Sequence, residues 1–569
     1  MKTLNRLRLE NGQFVENPKD IANSLNSFFA NVGPKFARKL APLSKSFESY
    51  LKDSPVNSFQ INPTDPNEIL KVIKSFSSSK CEGPDKISPF LYKLGANSLA
   101  SILSPLINKC FQIGYFPNCL KISKVVPIYK EGSAEEYSNW RPISITSCSY
   151  KLIEKLVKKR LLSFLSKHKV LTDTQFGYRE SHSTTHAILN ISDNILNNLD
   201  KKKHTVSIFL DLSKGFDCVD HKILLKKLQH YGIRGVAYKF FESYLTNRVQ
   251  QVIVNGVLSD LLSVICGVPQ GSVLGPILFL LYTNDLANAT KFLTNLFADD
   301  TCLSMSHPDL RQLEILCNLE SKAIDDWFRA NKLTTNSKKA SNFILSSPSR
   351  TRNTNFSIKM GEIQLQRVKS VKYLGVMLDE NITWSDQISY LSKKLSRCAG
   401  IFSKLRYYLN KEVLIKVYHS LFNSHLQYAT LCWGSASITN LNRLQILQNR
   451  ALRNIFKAQR FYRLDNLYLN CRILKVKDLY NLEVAKFMHK HHNASLPSCF
   501  ASFFSCSFQR FTRTSTNHNY NTPFYRTSRG QRSIKFYGPQ IWNSLPFEFR
   551  RFSLYQFKKE YKNLILSNY

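Results

Sequence analysis

Three carboxylates in this chain stand at the ends of apolar runs. Asp211 follows SIFL, and Asp299 and Asp300 follow NLFA. A carboxylate in apolar surroundings is costly unless it is neutralised or holds a cation. Two hard divalent cations about 4 Å apart, bridged by carboxylate oxygens and a triphosphate, are a common solution for nucleotidyl transfer. One ion then acidifies a primer 3′-hydroxyl and the other stabilises the departing pyrophosphate. Taken singly, each acid is explained as well by a structural role, with Asp300 capping a turn and Asp211 making a local bond.

The constellation says more than its members. Between the acids lies GVPQGSVLGPILFLLYTNDL, 267–286, a loop of small residues leading into an apolar helix. Gly271 and its neighbours let backbone approach a nucleotide closely, and Gln270 brings an amide. Phe216, five residues after Asp211, is near enough to occupy space under a nucleotide's sugar. Lys130 in PIYKEG and Arg141 in NWRPIS supply cations for phosphates.

The elements that must position these residues are mixed. TVSIFLDL, 205–212, is a β-rich run suited to a buried central strand. RVQQVIVNG, 248–256, reads as a strand closed by an Asn-Gly hairpin turn. LFADDTCLSM places its two acids at a hairpin tip, and VKYLGVMLD, 371–379, reads as a strand around Gly375. Helical spacing marks KLIEKLVKKRLLSFLSKH, 151–168, with one basic face, and LRQLEILCNLESKAIDDWFRANKL, 310–333. NSLASILSPLINKCF, 97–111, reads as a helix interrupted at Pro105, and three helical segments follow residue 385. The fold class is α+β.

The chain has 569 residues and a formal charge of +39, which makes a polyanion the obvious partner. Residues 381–569 hold 29 Lys and Arg against 7 Asp and Glu; the first 380 hold 50 against 33. Apolar residues at 43% exclude wholesale disorder. The 13 cysteines form no CxxC pair, against a zinc ribbon or a disulfide scaffold, and suit a reducing compartment. MKTLNRLRLENGQ has no apolar core of a signal peptide, and VLGPILFLLY, 273–282, is too short to span a bilayer. The expectation is an intracellular protein without a membrane partner, in the nucleus or cytoplasm as a ribonucleoprotein.

Residues from about 83 to 380 resemble the reverse transcriptase of non-LTR retrotransposons, in particular the jockey-like group of LINE-type elements. The matching segments are GPD (83–85), VVPIYKEG (125–132), NWRPISI (139–145) and QFGYRESHSTTHA (175–187). They continue with DLSKGFDCVDH (211–221), GVPQGSVLGP (267–276), FADDT (297–301), NKLTTNSKKA (331–340) and VKYLGVMLD (371–379). More weakly, IKFYGPQIWNSLP (534–546) resembles the end of such reading frames.

The resemblance implies a right-hand polymerase with fingers, a palm built on an antiparallel sheet, and a helical thumb. It divides the chain into a helical N-terminal extension (1–109), a reverse transcriptase domain (110–378), a thumb (379–450) and a basic C-terminal region (451–569). In that region cations alternate with aromatics over 508–538, a pattern expected to bind RNA by neutralising phosphates and stacking on unpaired bases, the alternative being a small aromatic core under a charged coat. Asp211, Asp299 and Asp300 become metal-site acids for two Mg²⁺ ions, with Mn²⁺ an alternative. Phe216 excludes a ribose 2′-hydroxyl, Gln270 and Gly271 line the nucleotide pocket, and Lys130 and Arg141 hold the triphosphate. Lys339 matches a lysine that protonates pyrophosphate, with Lys338 beside it a competitor. Gly375 matches the glycine of a primer-grip hairpin. The implied partners are an RNA template, a DNA primer or target and deoxynucleoside triphosphates.

Two departures touch the pattern: Gly215 stands where the family has Ala, and Ala340 follows Lys339 where it has Thr. Nothing before residue 80 is long enough for an endonuclease domain, so a truncated or separately encoded polymerase is expected. His489, His491, His492, Cys499, Cys506 and His518 are spaced unlike a zinc site, and solvated histidines with buried thiols are expected instead. Two other functions compete. A silent nucleic-acid-binding remnant would need none of the three acids, and an RNA-dependent RNA polymerase fits poorly with a bulky Phe216.

Overall fold

The computed structural model describes residues 4–9, 11–40, 43, 45–79, 81–212, 214–335, 342–347, 356–459, 461–505 and 519–569. Lys338, Lys339, Ala340, Cys506 and His518 lie outside them. The chain forms two units, one of residues 1–175, 211–291 and 322–336, the other of 176–210, 292–321 and 337–569. Helices and sheets are mixed in both, as an α+β chain requires.

In the first unit, Ile122–Tyr129 pairs antiparallel with Trp140–Ile145 and parallel with Arg248–Val254. Arg248–Val254 turns back through Asn255 and Gly256, both at positive φ, into Val257–Leu258, the hairpin that Asn-Gly favours. Val125, Trp140, Val252 and Val254 pack with Ile21, Ala22 and Leu25 of the helix Pro18–Arg38. The helix Cys148–Lys167 begins at Ser147, whose hydroxyl accepts from Tyr150 N, and it buries Leu152, Leu156, Leu161 and Leu165. The helix Gly275–Thr283 is buried on nearly every side, which its uniformly apolar sequence anticipates.

The helix Ala96–Ile113 runs straight through Pro105, where an interruption was expected. The proline removes one N–H from the ladder, and the buried Ala100, Ser104, Ile107 and Phe111 hold one face in place on both sides of it.

The second unit is built on a five-stranded sheet. Its order is Gln366–Arg367, Asn342–Ser346, His204–Asp211, Asp300–His307, Leu293–Phe297. Asn342–Ser346 is antiparallel to His204–Asp211, while the short Gln366–Arg367 is parallel to Asn342–Ser346. Residues 371–379 do not form one strand. They fold as a hairpin, Ser370–Tyr373 with Val376–Asp379, because Leu374 and Gly375 both take positive φ. The helical segment after Asn410 is likewise divided, with a wide π turn at Tyr418–Asn423 between Lys411–Val417 and Ser424–Gln427.

One core joins the helices Ser385–Leu405 and Ile438–Phe456 to the C-terminal residues Tyr520, Trp542 and Phe557. The helix Ile438–Phe456 passes through residue 450, where the thumb was expected to end, and Ala96–Ile113 passes through 109 in the same way. His489 is buried rather than solvated: it bonds to the Phe552 carbonyl and its ring lies 4.5 Å from Phe557. The described cysteines are all free thiols. No described helix is long and apolar enough to cross a membrane.

Candidate active site

The turn after Asp211 and the GVPQG loop are built against each other. Lys214 takes φ +49 and starts a single helical turn, Gly215–Cys218. The loop closes on that turn through the backbone: Val268 N donates to Phe216 O at 2.9 Å, and Gly267 N to Val219 O at 2.8 Å. A Cβ on Gly267 would stand 2.9 Å from Asp217 O. On the other side, Ser144 N donates to Gln270 O at 2.7 Å, and a Cβ on Gly271 would meet Ser144 O at 2.8 Å. Gly271 also sits at φ +113, so glycine is required twice over.

Phe216 is half-buried, and its ring stacks on Phe279 with centroids 4.5 Å apart and planes 15° off parallel. A Cβ on Gly215 would approach the Phe279 ring to 3.2 Å. The glycine that departs from the resembled pattern therefore leaves room for this ring pair. Gln270 Nε2 donates to Asp217 Oδ1 at 2.8 Å. Burial pushes Asp217 up to about 6, against the pull of the Gln270 amide and the Lys214 charge. Burial pulls Lys214 down; its ammonium lies 4.3 Å from the Phe28 ring centroid and has no hydrogen-bond partner among the described residues.

Beneath the loop lies a carboxylate that the motifs did not single out. Glu154 is fully buried, with Oε2 accepting from Val273 N at 2.8 Å. Its Oε1 accepts from Leu274 N at 3.1 Å and from the Tyr244 hydroxyl at 2.7 Å. Tyr150 donates to Tyr244 at 2.9 Å, and the buried Arg248 donates to Tyr150 at 2.9 Å. The anion sits at the start of Gly275–Thr283, where unpaired N–H groups and the helix dipole favour it. Burial nevertheless pushes its pKa up, while those N–H and O–H donors and the Arg248 charge pull it down. Its sequence signal was available: a lone acid among the apolar residues of Cys148–Lys167.

Asp299 and Asp300 fall at the tip of the hairpin, as expected. Asp300 pairs with Phe297, and Ala298 turns the chain at φ +56. Asp211 is the last residue of the neighbouring strand in the sheet. Within that sheet the hydroxyls of Ser207 and Ser304 are 3.0 Å apart. Gly375 sits at φ +81, and Tyr428 closes over its turn by donating to Leu374 O at 2.6 Å. A Cβ on Gly375 would stand 3.4 Å from the Tyr428 ring.

Lys130 and Arg141 lie on the paired strands Ile122–Tyr129 and Trp140–Ile145, or just beyond them. Register pairs Arg141 with Ile128, which makes Lys130 its diagonal neighbour. Lys130 Nζ also lies 3.9 Å from Glu131. Among the described residues, no three His, Cys, Asp or Glu side chains form a ready metal cluster.

Residues 128–378 match the family described as reverse transcriptase (RNA-dependent DNA polymerase). Lys130, Arg141, Asp211, Phe216, Gln270, Asp299 and Gly375 all fall inside that span. Residues 128–378 are a reverse transcriptase domain.

The reverse transcriptase domain brings relatives with it. A Drosophila melanogaster protein named "Probable RNA-directed DNA polymerase from transposon BS" is 28% identical over 520 residues, covering 86% of this chain and 55% of the relative. The "RNA-directed DNA polymerase from mobile element jockey" of the same species is 25% identical, covering 84% and 52%. That of Drosophila funebris is 26% identical, covering 81% and 52%. The chain thus spans about half the length of the curated relatives it matches. It is a relative of the polymerases of jockey and related mobile elements.

Proposed function

We propose that this chain is an RNA-directed DNA polymerase, extending a DNA primer with deoxynucleoside triphosphates on an RNA template. The observation that carries the reading is the acid-bearing sheet. The strand that Asp211 ends lies beside the strand that Asp300 opens, and Ser207 and Ser304, each four residues from its acid, meet at 3.0 Å. Side chains alternate along a strand, so each acid shares the face of its serine. On this reading that sheet is the palm, the sheet around Ile122–Tyr129 belongs to the fingers, and the helices after 380 are the thumb.

Carboxylate oxygens are the donors that hard divalent cations prefer, so Asp211, Asp299 and Asp300 suit Mg²⁺ or Mn²⁺. Two such ions, when bound, supply the acidification of the primer hydroxyl and the charge neutralisation of pyrophosphate. The remaining work belongs to the chain. Phe216, held by Phe279, occupies the space of a ribose 2′-hydroxyl. Gln270 and Gly271 shape the nucleotide wall, with Gln270 set by Asp217. Lys130 and Arg141 grip the triphosphate, and Lys339 returns a proton to pyrophosphate. The Gly375 turn carries the primer strand. The region 451–569, with 20 Lys and Arg against 5 Asp and Glu, binds RNA through its charge and through exposed rings such as Phe461 and Phe524.

The test is primer extension by Asp299→Ala. Loss of one metal-site carboxylate should remove at least about two decades of rate at unchanged thermal stability. Activity within about threefold of the wild type would overturn the assignment.

A further inference from the structure

Two loops leave the same end of a long helix pair in the second unit. The helices Ser385–Leu405 and Ile438–Phe456 lie side by side and run in the same direction. Arg443 Nη1 reaches Ser389 Oγ at 3.5 Å, and further along Asn454 Nδ2 donates to Ala399 O at 3.1 Å. Their C-terminal ends therefore lie together. The other end of Ser385–Leu405 is fixed at the base of the Gly375 hairpin, where Trp384 N donates to Asp379 Oδ2 at 2.7 Å. A helix of 21 residues separates the two ends by about 30 Å.

At the far end the loops turn some apolar residues inward and their other rings outward. Leu405, Leu409, Phe456 and Ala458 pack on the core. Tyr407 and Tyr408 are 68% and 84% exposed, and Phe461 and Tyr462 are 93% and 46% exposed. A tyrosine at the surface keeps its hydroxyl in water, but Phe461 has no polar atom to satisfy. Four such rings at one end of a helix pair form a surface that suits a partner.

The charge around the rings selects that partner. Lys404 and Arg406 flank the first pair of rings, and Lys457 and Arg463 flank the second. The ends of two helices attract cations in any case, so these charges alone decide nothing. The exposed rings have no such explanation. Arg406 stays with its ring: Nη2 donates to the Tyr407 hydroxyl at 2.7 Å, and the guanidinium lies 4.8 Å from the ring centroid. The acids that follow in sequence are Glu412 and Asp465, and Asp465 is held by Lys475 at 2.8 Å. Protein interfaces are depleted of lysine, whereas rings among cations match unpaired bases on a phosphate backbone. A duplex offers its phosphates but keeps its bases stacked on one another.

We propose that this end of the helix pair is a stacking platform for an unpaired stretch of RNA, with bases on Tyr408 and Phe461 and phosphates against Lys404 and Lys457. The proposal rests on the reading that the chain handles RNA, and none of these residues has a role in nucleotide transfer.

The test reads the platform itself. All five tryptophans of the chain are buried, so Tyr408→Trp adds one exposed reporter to the full chain at a site where little packing is lost. Single-stranded RNA should quench the added emission, and the same RNA annealed to its complement should leave it near its starting level. Adding Phe461→Ala should raise the RNA concentration at half-quenching about fivefold or more, the worth of one stacked base. Adding Lys404→Gln instead should reduce the slope of log K against log salt by about 0.7, one single-strand phosphate contact. In the wild type, RNA carrying photoreactive thiouridine should crosslink to the peptides that contain Tyr408 and Phe461, an arm that needs no variant to fold. Equal quenching by single strand and duplex, or an unmoved midpoint in Phe461→Ala, would overturn the shared stacking. An unchanged slope in Lys404→Gln would overturn the phosphate contact. A blue shift with phosphatidylserine vesicles and no response to RNA would make the surface a membrane contact instead. Failure of the polymerase reading would show separately, as a chain that keeps this quenching pattern but extends no primer.

Discussion

Gln270 Nε2 lies 2.8 Å from Asp217 Oδ1, so the amide on the GVPQG loop is tied to the residue next to Phe216. The GVPQG loop and the turn that carries Phe216 are thereby one mechanical unit, closed further by the backbone bond from Val268 to Phe216.

That bond has a pH signature. Asp217 is raised from its ordinary 3.8 to about 6 in the folded chain. A carboxyl with a raised folded pKa favours folding below its unfolded pKa, and that contribution is lost as pH rises through the folded one. Asp217→Asn removes the titration, and Gln270 can turn its amide to keep a hydrogen bond. The difference in melting temperature, variant minus wild type, should therefore increase between pH 4 and pH 7. A difference that is flat across this window in thermal melts would refute the raised pKa.

Phe216→Val should raise ribonucleotide incorporation relative to deoxynucleotide incorporation. It also breaks the stack on Phe279, at a cost of roughly 0.5–1.5 kcal/mol beyond the lost apolar area. Phe279→Leu breaks the same stack while leaving the Phe216 ring in place, and should shift the sugar ratio less. Matched single-nucleotide kinetics separate the two; an unchanged ratio in Phe216→Val makes Phe216 a core aromatic only.

Glu154→Gln replaces one accepting oxygen with a donor that faces a backbone N–H at Val273 or Leu274. With the site fully buried, the loss should be about 2–4 kcal/mol in urea unfolding, and KM for the deoxynucleotide should rise more than kcat falls. Tyr244→Phe removes only one of the three donors to Glu154 and should cost about 1 kcal/mol. If Glu154→Gln unfolds no earlier than Tyr244→Phe, the carboxylate is not what holds the loop.

Local sequence determined a great deal of this protein. The apolar run ahead of Asp211, the Asn-Gly turn at 255–256 and the hairpin tip at Asp299 follow from side-chain alternation and turn chemistry within a few residues. What local pattern could not decide is which surface covers which. Glu154 meets Val273 across more than a hundred residues of chain, and Tyr428 reaches Leu374 across 54. The same limit governs the tail: its alternating cations and aromatics suggested stacking on bases, yet Tyr520 and Tyr525 are buried while Phe524 between them is 90% exposed. Periodicity tells which side of an element is apolar, because that depends on neighbours in the chain. The partner that buries it, and whether a ring there meets a core or a base, depends on packing that only the folded chain supplies.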